Sequence, residues 1–247
     1  MTRSLKVELH THTADDPLDR VPHTATELID RAAVLGYGAI AITLHQRQLG
    51  LDHLKPYAKH RGIVLIPGVE RSIQGRHVLL LNFTGAAEDV NTFEDLARLK
   101  QSERGLVVAP HPYFPATNCL FRYLDRFPDL FDAVEYNAMY TSTLNFNRRA
   151  QAWALKHGKP VVGNCDVHRL SQLGTTYSLV EAEPGAVAIC EAITQGCVEL
   201  RTQPLTWATA ASRMASLMLF NRGPRPKPDQ PPADRAHGND RHHESAA

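Results

Sequence analysis

Seven short apolar runs of this chain have a histidine, an aspartate or a glutamate at or near one end. In six of them the polar residue follows the run, whereas His77 precedes its run. The runs and their polar residues are 7–9 with His10 and His12, 39–43 with His45, 63–66 with Glu70, 78–83 with His77, 106–109 with His111, 133–134 with Glu135, and 161–162 with Asp166 and His168. A hydrophobic core has no use for such side chains at strand ends, but a metal site needs ligands that converge on one face of a scaffold. The pattern therefore predicts a site for more than one metal ion.

The apolar runs alternate with segments of helical spacing, such as 28–35, 92–104 and 144–157. Thr24, followed three residues later by Glu27, predicts a capping box at the start of the first of these helices. Alternating strands and helices predict an α/β fold, either a closed parallel barrel or an open doubly wound sheet. A barrel draws its site from the ends of many strands, whereas an open sheet places it at one switch point. Seven contributing runs favour the barrel.

The composition suggests one large domain over residues 1–221, followed by a segment of different composition. The domain ends in a predicted helix, 204–220, with an apolar stripe that we expect to pack on the barrel or against a second subunit; its residues are Trp207, Ala211, Met214, Leu217 and Met218. A homo-oligomer therefore remains open. Residues 222–247 hold five prolines between 224 and 232 and almost nothing apolar. Such a segment cannot bury enough surface to offset its ordering entropy, and we predict a disordered tail.

Charge and cysteine content exclude several classes of protein. The chain has 27 basic and 26 acidic side chains, a net charge of +1, which argues against a protein that coats long nucleic acid or a membrane surface. The four cysteines show no CxxC spacing, so free thiols in a reducing compartment are expected. The amino terminus lacks the apolar stretch of a signal peptide, and no run is long enough to span a membrane. These features predict a cytoplasmic protein.

Two pairs of polar residues carry the strongest local signal. His10 and His12 lie two positions apart, as do Asp166 and His168, and residues two apart in a strand share one face. Either pair alone could be exposed at a strand end, but together they bracket the alternating unit. Asp15 and Asp16 follow His12 closely and would add the hard oxygen ligands of a mixed site for zinc, manganese or iron.

Taken in order, six segments resemble the PHP family, named for polymerase and histidinol phosphatase. They are 10–12 with the nearby acids, 41–45, 68–70, 75–77, 109–112 and 163–168, all within about residues 7–183. The resemblance implies a distorted (β/α)7 barrel and a centre of two or three divalent ions. It also implies phosphoester hydrolysis by a metal-bound hydroxide.

The resemblance also implies a role for individual residues. The implied metal ligands are His10, His12, Asp15 or (preferred) Asp16, His45, Glu70, His77, His111, Asp166 and His168. Among these, Glu70 and Asp166 are the expected bridging carboxylates, and Asp166 or His168 could also shuttle the proton of the leaving group. Glu135 is interpreted as a residue that supports a ligand or contacts substrate. Leu44 stands where the family often has an aspartate, a departure expected to weaken metal binding if that aspartate orients a ligand.

Four arginines lie directly beside the implied ligands and are candidates for binding phosphate, because a guanidinium can bind two oxygens at once. They are Arg47, Arg71, Arg76 and Arg169. Each could instead be an exposed surface side chain. Four other histidines lie away from the strand ends and are predicted to be exposed: His23, His53, His60 and His157.

The function favoured by these features is hydrolysis of a small phosphorylated metabolite or nucleotide, such as a phosphomonoester or a nucleoside bisphosphate. Two alternatives stay open. A metal-bound hydroxide can also attack a carbonyl, as in a carbon–nitrogen hydrolase, and a barrel of this kind can serve as a non-catalytic regulatory module. Long nucleic acid is not favoured, because the chain shows no patch of interleaved basic and aromatic residues.

Overall fold

The computed structural model describes residues 1–220, with the backbone only for residues 217–220. The predicted tail, 222–247, lies outside the described residues. Nine strands form within them: β1 Arg3–Glu8, β2 Ala39–His45, β3 Val64–Ile73, β4 Arg76–Leu81, β5 Leu106–Ala109, β6 Ala133–Asn137, β7 Val161–Asn164, β8 Thr176–Ala182 and β9 Val198–Thr202. The same residues form seven α-helices: α1 Ala25–Val34, α2 Lys55–His60, α3 Phe93–Ser102, α4 Arg122–Arg126, α5 Asn147–His157, α6 Ala186–Thr194 and α7 Trp207–Phe220.

All nine strands belong to one sheet, in the order β7-β6-β5-β4-β3-β2-β1-β8-β9. Strands β1, β2 and β3 are parallel to one another, and so are β5, β6 and β7. Strand β4 runs antiparallel to both of its neighbours and forms a hairpin with β3. Because β4 is reversed, its first residues lie at the same edge as the last residues of the parallel strands. This reversal explains why His77 precedes its apolar run.

The sheet curls until β1 and β7 meet at that edge. Thr11 and Val167 form a parallel bridge, in which His12 N donates to Val167 O at 2.9 Å and Val167 N donates to His10 O at 3.0 Å. Farther into the barrel, the buried carboxyl group of Glu8 accepts hydrogen bonds from the backbone N–H groups of His10 and Cys165 and so links the segments that follow β1 and β7. Strands β1–β7 thus form a nearly closed barrel, and the predicted distorted (β/α)7 barrel is confirmed.

Both faces of the barrel wall are apolar, as the continuous apolar runs predict for strands covered on both sides. In β2, Ala39 and Ala41 point into the barrel, while Ile40 and Ile42 pack outward with the apolar side of α1. The start of α1 has the predicted capping box, with reciprocal bonds between Thr24 and Glu27. We call the end of the barrel that holds the polar residues after the strands its mouth. Helix α6 packs its apolar side against the opposite end of the barrel. The polar residues at the mouth are thereby held on a rigid, fully packed support.

The carboxyl-terminal part of the domain differs from the prediction. Strand β9 was not predicted. In α7, Trp207 and Met214 of the apolar stripe are 59% and 46% exposed, so these two side chains do not pack on the barrel, and the expected contact with a second subunit stays open. The helix instead contacts the loop after β7 through polar groups. Arg169 Nε donates to Ser216 Oγ, and Arg213 Nη2 donates to Ser171 O.

Within the described part of the chain, no helix is both long enough and apolar enough to cross a membrane.

Candidate metal centre

Glu70 is the hub of the polar cluster at the barrel mouth. It is the last β3 residue to pair with β2, opposite His45, and it is 2% exposed. Five imidazoles from four segments approach its carboxylate. Their closest nitrogens lie 3.3 Å (His10), 3.4 Å (His12), 3.2 Å (His45), 2.5 Å (His77) and 3.4 Å (His111) from a Glu70 oxygen. Burial by itself would raise the pKa of Glu70, but His10 and His77 bring it well below its usual range.

Asp166 is a second acceptor shared by several imidazoles. Its Oδ1 lies 3.4 Å from His10 Nε2, 3.5 Å from His12 Nε2 and 3.3 Å from His168 Nδ1. Burial would raise the pKa of this carboxyl, and the surrounding imidazoles, His10 first, hold it well below its usual range. Both carboxylates are therefore ionised and face a ring of nitrogen atoms.

The backbone is strained at two of these positions. His111 has φ 30° and Asp166 has φ 52°, values in the left-handed region that non-glycine residues rarely adopt. Such strain costs about 1–3 kcal/mol and persists only where the surrounding structure imposes it. At both positions the packing of the mouth overrides the local backbone preference and brings the side chain into the cluster.

Two buried carboxylates lie behind the cluster and orient its imidazoles. Glu135 Oε2 accepts from His10 Nδ1 at 2.8 Å, and the amides of Asn137 and Asn164 also donate to this carboxylate. Asp16 accepts from the Nδ1 atoms of His12 and His45, at 2.8 and 3.0 Å. Each imidazole is thereby fixed with Nδ1 turned outward and Nε2 turned toward Glu70. Carboxylates in this position fix the tautomer of a metal-binding histidine and raise its basicity.

Asp16 also supplies the acidic partner that the family often places at the position of Leu44. Leu44 is fully buried and packs outward with Ile42, away from the mouth. Asp16 takes the place of an orienting carboxylate by accepting from both His45 Nδ1 and His45 N. His45, the residue after Leu44, therefore has an acidic partner, which the loop after β1 supplies.

The donor atoms fit divalent cations. Nε2 of His10 and of His12 are buried, and although oxygens of Glu70 and Asp166 lie 3.3–3.5 Å away, neither atom has a well-aligned hydrogen bond among the described residues. Burying such an atom unpaired costs free energy, and a cation would remove that cost. Five triplets of ligand atoms from this cluster lie within 4.8 Å of one another: His10-His12-Glu70, His10-His111-Asp166, His12-Asp166-His168, His12-Asp16-His45 and His45-Glu70-His77. Mixed nitrogen and oxygen donors of this kind suit zinc, manganese or iron.

Three residues of the loop between β1 and α1 have surroundings that were not predicted from the sequence. Asp15 accepts from Thr13 Oγ1 and belongs to none of the ligand triplets within the described residues. Asp19, which the sequence analysis missed, lies 2.9 Å from His168 Nε2. The prediction that His23 is exposed is wrong, because it is 3% exposed and burial lowers its pKa to about 4. All three positions depend on how the loop folds over the mouth, and a loop has no periodicity from which to predict this.

The four candidate arginines differ in what they contact. Arg71 is buried, and its guanidinium donates to the carbonyls of Gln46 and Val90 and to Asn91 Oδ1, so it ties segments together. Arg47 donates to the carbonyl of Asp15, at the rim of the mouth. Arg76 donates to the carbonyls of Thr117 and Cys119, and Arg169 to Ser216 Oγ.

Comparison with known proteins supplies sequence relatives. DNA polymerase III of the PolC type from Streptococcus thermophilus is 41% identical over 68 residues, 28% of this chain and 5% of the polymerase. A 5'-3' exoribonuclease from Haemophilus influenzae is 32% identical over 110 residues, 43% of this chain and 36% of that protein. The chain therefore spans a small fraction of the polymerase and about a third of the exoribonuclease. A family model described as PHP-associated matches residues 145–198.

A solved structure with this fold comes from Bacteroides vulgatus, a two-domain protein described as containing a predicted PHP-like metal-dependent phosphoesterase. It superposes with a TM-score of 0.66 over 87% of this chain and 70% of that one, at 18% identity. This chain therefore resembles the PHP family in sequence over residues 145–198 and in fold over most of its length.

Other solved structures share the PHP fold of this chain. The lesion-specific endonuclease PfuEndoQ from Pyrococcus furiosus has a TM-score of 0.55 at 15% identity, over 86% of this chain and 66% of that one. An amidohydrolase from Chromobacterium violaceum, with bound sulfate, has a TM-score of 0.54 at 18% identity, over 84% of this chain and 96% of that one. At such identities the likeness concerns the fold alone, so the substrate has to be argued from the site.

Proposed function

We propose that this PHP domain is a metal-dependent phosphoesterase that acts on a small phosphorylated metabolite or nucleotide. The convergence of five imidazoles on the buried carboxylate of Glu70 is the observation that carries the proposal. An apolar or neutral interior would be more stable than this cluster, unless cations occupy it, because unpaired buried polar atoms are costly.

The residues that would hold two or three divalent ions are those whose donor atoms face one another. Glu70 and Asp166 lie between the imidazoles and would bridge ions, and the remaining ligands would be His10, His12, His45, His77, His111 and His168. When bound, such ions activate water as the nucleophile and neutralise charge on the phosphoryl oxygens. Asp16 and Glu135 orient the imidazoles from behind and need not touch the ions.

His168 and Asp19 form the pair best placed to handle the leaving-group proton. His168 Nε2 lies 2.9 Å from Asp19 Oδ2, and their side chains are 15% and 32% exposed, whereas His10 and His12 are fully buried. The pair therefore faces the open side of the mouth, where substrate enters. The proton shared between His168 Nε2 and Asp19 Oδ2 would pass to the departing oxygen, and His168 Nδ1 would stay turned toward Asp166 and the other ligands. Arg47, on the same rim, would contact the phosphoryl group.

Metal content and hydrolysis of simple substrates test this proposal. The purified full chain should contain at least two equivalents of zinc, manganese or iron. It should release phosphate from p-nitrophenyl phosphate or from nucleoside bisphosphates, and it should leave amides intact. His10→Ala should lower kcat/KM by roughly 10³-fold while the circular dichroism spectrum stays unchanged. His53→Ala, which replaces an exposed histidine away from the mouth, is the matched control.

Three results would contradict the proposal. Near-normal turnover by His10→Ala would show that the cluster is not the reaction centre. Hydrolysis of amides in place of phosphoesters would favour the carbon–nitrogen hydrolase. Less than one equivalent of metal, with no hydrolysis after manganese or zinc is added, would favour the non-catalytic module.

A further inference from the structure

A cavity of about 400 Å³ beside the metal centre is lined by three arginines and takes no part in the chemistry proposed above. It lies between the start of β4, the segment before α4 and the first turn of α5. We call it the arginine pocket, and its lining residues are Arg76, Leu120, Phe121, Arg122, Tyr123 and Arg149.

In the part of the chain that the structure describes, none of the three arginines of the pocket pairs with a carboxylate within 4 Å, and Asp125 of α4 instead accepts from Trp153 Nε1. Arg76 and Arg122 lie over the ring of Tyr123, at 5.2 and 5.6 Å from its centroid, and Arg149 lies 4.2 Å from the ring centroid of Tyr113. Among the described residues, the arginines that pair with a carboxylate are found elsewhere: Arg61, Arg98 and Arg201. Three guanidinium groups gathered around one cavity without an acidic partner create a strong positive potential.

One of these arginines has a buried hydrogen-bond donor without an acceptor. Arg76 donates through Nη1 to carbonyls of the neighbouring loop, but its Nε is buried and has no partner among the described residues. A buried donor without an acceptor is uncommon and calls for an explanation. Nη2 of the same guanidinium also has no partner among the described residues but is accessible, so it can donate to a phosphate oxygen in the pocket and draw the buried Nε into the same two-pronged contact.

The arginine pocket and the metal centre share one wall, residues 117–119. On the pocket side, Arg76 binds the carbonyls of Thr117 and Cys119. On the other side, Asn118 O accepts from His77 N at 2.8 Å, and Cys119 Sγ lies 3.4 Å from His111 Nδ1. A single stretch of backbone therefore separates the pocket from two residues of the cluster. A substrate that presents one phosphate at the metal centre has a second anionic site close by.

We propose that the arginine pocket binds a second phosphate group of the substrate. This proposal rests on the phosphoesterase function proposed above and narrows its substrate class to molecules with at least two phosphates. Two arginines already cover the ring of Tyr123, so the pocket recognises charge and does not stack a base. The second phosphate belongs either to a nucleoside bisphosphate or to the next nucleotide of a short oligonucleotide.

Charge reversal at the pocket tests the proposal. In the full chain, Arg122→Glu and Arg149→Glu should each raise KM at least about tenfold for adenosine 3',5'-bisphosphate, for a 5'-phosphorylated tetranucleotide, or for both. For p-nitrophenyl phosphate, which has one phosphate, kcat and KM should stay within twofold. Whichever of the two larger substrates responds identifies the source of the second phosphate.

Arg148→Glu is the matched control, because Arg148 is exposed, adjoins Arg149 on α5 and does not line the pocket. It makes the same change in net charge and should leave every KM within twofold. Arg122→Lys keeps the charge and loses the fork, so it should recover part of the affinity. Thermal melting of each variant shows whether the fold survives.

A binding measurement separates failure of this proposal from failure of the proposed function. If the wild-type protein hydrolyses phosphoesters but the pocket variants match Arg148→Glu on both larger substrates, the arginine pocket proposal is overturned alone. If the wild-type protein hydrolyses none of them, the proposed function fails. In that case, fluorescence anisotropy of a labelled tetranucleotide tests phosphate binding by the arginine pocket. An affinity about tenfold lower for Arg122→Glu than for Arg148→Glu supports the proposal, and equal affinities overturn it.

Discussion

Replacing Asp16 by asparagine should weaken metal binding while the barrel stays folded. The carboxylate accepts from the Nδ1 atoms of His12 and His45, and it also accepts backbone N–H groups from His45, Leu18 and Asp19. Asparagine offers one acceptor oxygen, so whichever way the amide is turned, some of these donors face its NH2 group. The two imidazoles would then lose the contact that fixes their orientation.

The size of the effect follows from the number of ligands involved. Removing the orienting partner of one metal-binding histidine costs about 10–100-fold in metal affinity or activity. Because Asp16 orients two histidines, we expect a loss of about 100-fold in metal affinity, which corresponds to about 2.7 kcal/mol. Competition with a chelator of known affinity measures this directly, and kcat/KM should fall in parallel when metal is limiting.

Asp15→Asn is the matched control for this experiment. Asp15 precedes Asp16 in the same loop, but it contacts Thr13 and not an imidazole. Its replacement should leave metal affinity within about twofold, as surface substitutions usually do. Equal metal affinities for Asp15→Asn and Asp16→Asn would refute the argument that the outer carboxylate holds the centre together.

Three further predictions concern stability. Burial raises the pKa of Glu8 to about 8, so the free energy of unfolding of the wild type falls as pH rises from about 4.5 to 8. Glu8→Gln, which does not ionise, should gain stability relative to wild type across this window, by at most about 5 kcal/mol. Urea unfolding at several pH values measures the difference, and a difference that does not change with pH would contradict this prediction. Gly163→Ala should cost about 1–3 kcal/mol because its Cβ would lie 2.6 Å from Leu200 Cδ1 and 2.7 Å from Tyr177 O, whereas Gly85→Ala meets nothing within 4 Å and should be near neutral. Removing metal with a chelator should lower the Tm, since a ligand at 100 times its Kd stabilises by about 2.7 kcal/mol; an unchanged Tm would argue against a resident ion.

Much of the fold could be predicted because its signals are local. Apolar runs at strand length, the Thr24–Glu27 capping box and helical spacing depend on neighbours within a few residues. The position of polar residues at strand ends placed ten candidate ligands near one mouth, and the structure brings nine of them into the cluster around Glu70 and Asp166. The tenth, Asp15, turns aside to Thr13.

The tertiary structure decided what depends on distant segments. Only the reversal of β4 brings His77 to the mouth from the front of its run, and only the folding of the loop after β1 separates Asp16, which orients two imidazoles, from Asp15. The buried hydrogen bonds of Arg71 and the exposure of Trp207 and Met214 on α7 likewise depend on contacts between elements. Periodicity records which face of an element is apolar. It does not record which distant side chains meet there, because long-range packing places them.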